Sequence, residues 1–281
     1  MSLTLDAHVH VWNRTTDPQP WIDPATMAPI DRDFSMADAE GMLDSVALDS
    51  AIVVQSSNSA AETLRLLAGA TDRITGVVGW LDLTGDVARQ LDSLDPVARR
   101  RLVGIRHLVH IDPDPEWLGS PAVARGLVAL AAEGLTFDVV ARWWQLPLVA
   151  RVASRVPDLT FVLDHLGGPP LGTDDMRGWQ AGILGLARRD NVLAKLSGVA
   201  GELGSPEWSP AECLPAIEAA FDAFEPTRLM YGSDWPMVEL VGGAPKWHAA
   251  VRAWVASLAP TERDAIFGAT ASATYLRSTQ R

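Results

Sequence analysis

Leu5-Asp6-Ala7-His8-Val9-His10-Val11 alternates apolar and polar side chains with the two-residue period of a β-strand. On such a strand Leu5, Ala7, Val9 and Val11 share one face, and Asp6, His8 and His10 share the other. The apolar face is expected to pack against outer helices. The polar face then points inward, with both histidines near the C-terminal end of the strand. Seven further short apolar, β-rich runs follow, at 51–55, 74–81, 103–108, 135–140, 159–165, 192–196 and 229–233. Helix-period segments separate them. One starts at Ser120-Pro121, an N-cap with proline at the first helical position, and closes at Gly134. Others run from Ser35 to about Leu48 and from about Pro210 to Ala223. Strand alternating with helix implies parallel strands joined by crossover helices. Eight such units predict an α/β fold, a (β/α)8 TIM-like barrel forming one domain over 1–281 with its core at about 3–276, in preference to an open doubly wound sheet.

Loop lengths agree. Helix-to-strand connections are short, as at Asp49-Ser50, Pro157-Asp158 and Asp190-Asn191. Strand-to-helix connections are long, at 12–34, 109–119, 166–173 and 234–245. In a barrel these long loops build the face that carries the active site.

Composition narrows the function. Hydrophobic residues make up 48% and charged residues 21% of the 281, enough for a large core and against disorder. No apolar run reaches the roughly 18 residues of a membrane span. The start, MSLTLDAHVH, has neither a basic region nor a long apolar one, so no secretory signal is expected and the cytoplasm is the expected compartment. A net charge of -12 argues against nucleic acid and anionic membrane as partners. Cys213, the single cysteine, can form neither an internal disulfide nor a thiolate metal site, and is expected to be a buried small hydrophobe. The tail 278–281 is expected to fray. Oligomeric state is not legible.

Ionisable residues recur at one end of several strands: Arg106-His107 on the fourth, Asp164-His165 on the sixth, Lys195 and Ser197 on the seventh, and Asp234 after the eighth. An inert core has no use for them, because each buried polar group is costly unless paired. Two imidazoles at i and i+2 converge on one point, a spacing suited to a metal or an anion. Arg106 could hold substrate through its rigid guanidinium fork or pair with Asp138 or Asp164. His107 could face the pocket in its place, since strand neighbours point oppositely. Lys195 is expected in a structural ion pair, and Asp6, deeper on its strand, in a supporting role. Among eleven tryptophans, Trp80 and Trp235 are placed to offer flat faces to a sugar-like ring. Gln55, ending the second strand, is a candidate polar contact.

The motifs DAHVHVW at 6–12, GVVGWLDL at 76–83, GIRHLV at 104–109, LTFDVV at 135–140, QLP at 145–147, FVLDHLGGP at 161–169, AKLSG at 194–198 and LMYGSDWP at 229–236 fall in order over nearly the whole chain. Together they resemble the amidohydrolase superfamily, in the lactonase-type branch of its "amidohydrolase 2" proteins. The resemblance implies hydrolysis of a small-molecule lactone: a sugar-acid, muconolactone-type or pyrone-dicarboxylate lactone. It maps the site to His8, His10, His165 and Asp234. In metal-containing relatives these positions hold one divalent ion, usually zinc; in some lactonases of the branch they work without metal. Two departures matter. Strand four offers Arg106-His107 where binuclear members carry a carbamylated lysine, so a binuclear centre is not expected. Gly168 replaces the lysine of a common DHLGKP pattern, so a phosphate or carboxylate contact is expected to be missing.

Lactone hydrolysis needs an activated water and a polarised carbonyl. Asp234 suits the general base. A zinc ion, or the three imidazoles with Arg106, suits the polarising group. Two other readings compete: a zinc-dependent decarboxylase of an aromatic or muconate-semialdehyde acid, and a non-catalytic binding barrel.

Overall fold

All eight apolar runs form strands, and the computed structural model, which describes residues 3–276, orders them β1 to β8 in a single parallel sheet. The strands are β1 Leu5–Val9, β2 Ser50–Val54, β3 Ile74–Gly79, β4 Leu102–His107, β5 Thr136–Val139, β6 Phe161–Leu163, β7 Val192–Leu196 and β8 Leu229–Tyr231. The sheet curls until its edges meet. His10 N–H donates to Trp235 O at 2.7 Å, and Asp234 N–H donates to His8 O at 2.9 Å. This seam is built from the two segments that carry the candidate ligands. The result is the barrel the sequence predicts. The tail at 278–281 lies outside the described residues.

The helices form where the sequence supplies caps. Ser120 accepts from Val123 N–H and leads Pro121–Ala132. Ser35 and Asp38 make a reciprocal capping box ahead of Met36–Ser45, and Ser209 and Glu212 do the same for Pro210–Phe224. Among the described residues no helix is long and apolar enough to cross a membrane.

Two apolar clusters divide the core. The larger lies between sheet and helices and includes Val9, Val53, Ile105, Phe137 and Leu196, with Trp179, Ile217 and Cys213 from the helices. The smaller gathers Ile52, Val54, Val78, Val103, Val162 and Met230 with Tyr275, from the helix Thr270–Tyr275. Leu5 and Ala7 belong to this second cluster, and only Val9 and Val11 join the first. This corrects the simple alternation read from residues 5–11. The β1–β2 register shifts between Asp6 and Val9, which breaks the two-residue period. The Asp6 carboxylate consequently accepts from the backbone N–H groups of His8, at 3.0 Å, and Ser233, at 2.9 Å, rather than lying beside His8 and His10.

Above the second cluster, two cations and two carboxylates fill the barrel. Lys195 Nζ lies 2.5 Å from Asp138 Oδ2 and 3.0 Å from Asp164 Oδ1. Arg106 Nη1 donates to Asp164 Oδ2 at 2.9 Å. Tyr275 OH donates to Asp138 Oδ2 at 2.8 Å from below. Burial acts to raise the Asp164 pKa, but Lys195, His8 and Arg106 outweigh it and hold this carboxyl well below its usual 3.8.

Candidate active site

The barrel floor fixes three imidazoles around one carboxylate oxygen. His8 Nε2, His10 Nε2 and His165 Nε2 lie 3.7, 3.5 and 3.9 Å from Asp234 Oδ1. That oxygen is buried and has no hydrogen-bond partner. Each ring is held from its other nitrogen. His10 Nδ1 meets Val54 O at 2.7 Å, and a carbonyl only accepts, so Nδ1 carries the proton and Nε2 presents a lone pair. His165 Nδ1 is 2.9 Å from Ser197 Oγ. His8 Nδ1 faces Lys195 Nζ at 3.1 Å and Asp164 Oδ1 at 3.3 Å. Burial pushes the His8 pKa well below 6.5, with Lys195 and His165 adding to the effect and Asp164 opposing it. Burial also lowers that of His10, against the pull of Asp234. Both rings are therefore neutral near pH 7.

These observations fit a metal centre. His8 Nε2 and His10 Nε2 stand 3.0 Å apart, a separation that calls for a proton or a cation between two lone pairs. His8, His10 and Asp234 present ligand atoms within 4.8 Å of one another. Neutral imidazole nitrogens with a carboxylate are a zinc-type donor set. The partners on the far side of each ring are of the kind that orients metal-bound histidines.

Backbone strain marks the same place. His165 and Asp234 both sit in the left-handed region, at φ 53 and 60. Such residues cost about 1–3 kcal/mol each and persist where the surroundings over-determine them. Gly198 explains part of this confinement. A Cβ there would lie 2.5 Å from His165 Nδ1 and 3.0 Å from Asp234 Oδ2, and its own φ is 64. Gly198→Ala is expected to displace the imidazole and lower kcat/KM about 100-fold, the scale of a misplacement near 1 Å. Steady-state kinetics beside a thermal melt would check this; unchanged kcat/KM would show that the His165 position does not matter.

A cavity of about 680 Å³ opens above this floor. His10, His165, Asp234 and Arg106 line its base. Loop residues build the walls: Trp21, Met27, His110, Ile111, Arg142, Glu202 and Leu240 among them. Arg106 thus borders the cavity while paired with Asp164.

Four other side chains expected at the substrate do not line this cavity. Gln55 is fully buried and donates to Arg106 O at 3.1 Å, supporting the arginine from behind. Trp235 packs edge-on against Phe34. Trp80 Nε1–H donates to His107 Nδ1 at 3.1 Å, and His107 Nε2–H in turn donates to Asp112 Oδ2 at 2.6 Å. The Trp117 ring stacks on His107 at 3.6 Å. This clasp ties the ends of β3 and β4 to the loop that brings His110 and Ile111 to the cavity. Sequence reasoning passed over His110, Arg142, Glu202 and Gly198. For the first three, a polar residue in a mouth-side loop was the signal available; for Gly198, it was a glycine directly after a site strand.

Comparison with known proteins agrees with this geometry. The profile of the amidohydrolase family matches residues 5–277. An L-fucono-1,5-lactonase of Burkholderia ambifaria is 33% identical over 98% of this chain and 96% of its own length. An L-fucono-1,5-lactonase of Burkholderia multivorans is 35% identical over the same shares. An amidohydrolase of Burkholderia multivorans, solved with bound zinc, superposes with a TM-score of 0.91 at 33% identity, covering 98% of this chain and 99% of that one.

Proposed function

The chain belongs to the amidohydrolase family, and from that premise we propose that it opens a small sugar-acid lactone by hydrolysis, in carbohydrate metabolism. The observation that carries this reading is the buried, unpartnered Asp234 Oδ1 facing three imidazole nitrogens at the base of an open cavity. A binding barrel gains nothing from such an arrangement, whereas a hydrolase needs it.

Asp234 is the general base. Its carboxylate takes a proton from the attacking water and returns it to the ring oxygen that leaves. His8, His10, His165 and Asp234 would hold one divalent ion, zinc by the donor set. When bound, the ion supplies Lewis acidity and lowers the pKa of water towards about 7. Arg106, which borders the cavity beside these groups, would offer its guanidinium edge to a substrate oxygen. Ser197 and Asp164 keep His165 and His8 in register.

The test is acid release from a panel of sugar 1,4- and 1,5-lactones, followed with a pH indicator before and after chelation. Hydrolysis lost on chelation and restored by zinc is the expected result. Hydrolysis surviving chelation would assign carbonyl polarisation to the imidazoles and Arg106. No hydrolysis of any lactone, with or without zinc, would overturn the lactonase reading and favour a decarboxylase.

A further inference from the structure

Charge accounting inside the cavity separates the lactone classes. Arg106 is answered by Asp164 on the barrel floor. At the rim, Arg142 Nη1 donates to both oxygens of Glu202, at 2.9 and 3.1 Å. His110 lies between these regions, close enough to feel the charges of Arg106 and Arg142, and its Nδ1 is buried without a partner. Burial chiefly, with Arg106 and Arg142 adding to it, pushes its pKa down to about 4, so it is neutral at pH 7. Among the described residues lining the cavity, every guanidinium therefore has a carboxylate partner.

The Arg142–Glu202 pair does little for the fold. Its side chains are 40% and 26% exposed, and exposed ion pairs contribute little to stability. It does bridge the loops after β5 and β7 across Gly168, three residues beyond His165. A side chain at Gly168 would press on both members, its Cβ meeting Arg142 Nη1 at 3.3 Å and Glu202 Oε1 at 3.4 Å. Glycine at this position leaves the pair bare to the cavity. A guanidinium beside a carboxylate offers N–H donors and oxygen acceptors side by side, which complements two neighbouring hydroxyls. The same pair has no surplus positive charge for a substrate carboxylate.

We infer that the Arg142–Glu202 pair, with His110 beside it, is the specificity-determining contact for an uncharged, hydroxylated lactone ring and turns away lactones bearing a carboxylate. The inference rests on the lactonase reading above. It is tested with Glu202→Ala and three probes: the best aldono-1,5-lactone of the panel, unsubstituted δ-valerolactone, and paraconic acid, a γ-lactone with a free carboxylate. The readout is the ratio of kcat/KM between probes. In Glu202→Ala the aldonolactone-to-valerolactone ratio is expected to fall about 10- to 100-fold, the value of a hydrogen bond to a charged group. The unmasked Arg142 is expected to raise kcat/KM for paraconic acid. Arg142→Met is expected to lower the first ratio without that gain. If the three probes fall together, or the first ratio holds, the pair is structural or idle; the inference fails while the lactonase reading stands. If the unaltered protein opens none of the probes or the panel, both readings fall.

Discussion

Asp234→Asn is expected to give a folded barrel whose kcat on lactones is lower by about 100- to 10,000-fold, the usual worth of a positioned general base. The fold should survive because Asp234 joins the β1–β8 seam through its backbone, donating N–H to His8 O, and not through its carboxylate. Asparagine keeps the shape and loses the proton-accepting oxygen. KM should change far less than kcat, since the missing interaction belongs to the reaction step. Because Asp234 is also a candidate ligand, metal content should be measured alongside the rate. A variant that keeps its metal and loses turnover identifies the base. One that retains turnover removes Asp234 from that role.

Lys195→Met carries the largest expected cost in stability. Lys195 is fully buried and answers two buried carboxylates at once, Asp138 and Asp164. Removing one member of a buried ion-pair network costs about 3–5 kcal/mol, because the remaining charges lose their compensation. For a chain of this size that lowers the melting temperature by on the order of 10 °C. The deficit also has a pH signature. Asp164 is held below its ordinary pKa by Lys195 first among its partners, so its stabilising contribution is present above the unfolded value and is lost on acidification. Without the lysine the buried carboxylates prefer to be protonated. The penalty then grows as pH rises above their unfolded values. Thermal melts at pH 5 and pH 8 should show the larger deficit at pH 8; equal melting temperatures of variant and parent at both pH values would refute the network's role.

Much of this architecture was legible in the residues. The eight strands are short apolar runs bounded by turn and cap residues, and local chemistry alone marks them. His8, His10, His165 and Asp234 were legible because each lies within three residues of the C-terminal end of a strand, where topology dictates position. The failures have physical causes. Asp6 turned from the expected face because a register shift in β1 breaks the alternation, and nothing within residues 5–11 announces it. Trp80 and His107 were rightly placed at strand ends, but they bond to each other and to Asp112 rather than face the cavity. His110, Arg142 and Glu202 lie in loops, where no periodicity governs direction and only the folded backbone brings them together.

The seam and the floor also set an order of events during synthesis. Asp6 waits 227 residues for the Ser233 amide, and Asp138 waits 137 for the Tyr275 hydroxyl. A chain still emerging from the ribosome holds β1 as an open edge above unanswered charges. Contacts this distant in sequence are slow to form, and the half-built sheet is the kind of species that aggregates. Closing the ring and answering Asp138 from below thus wait until residues 233 and 275 have been made.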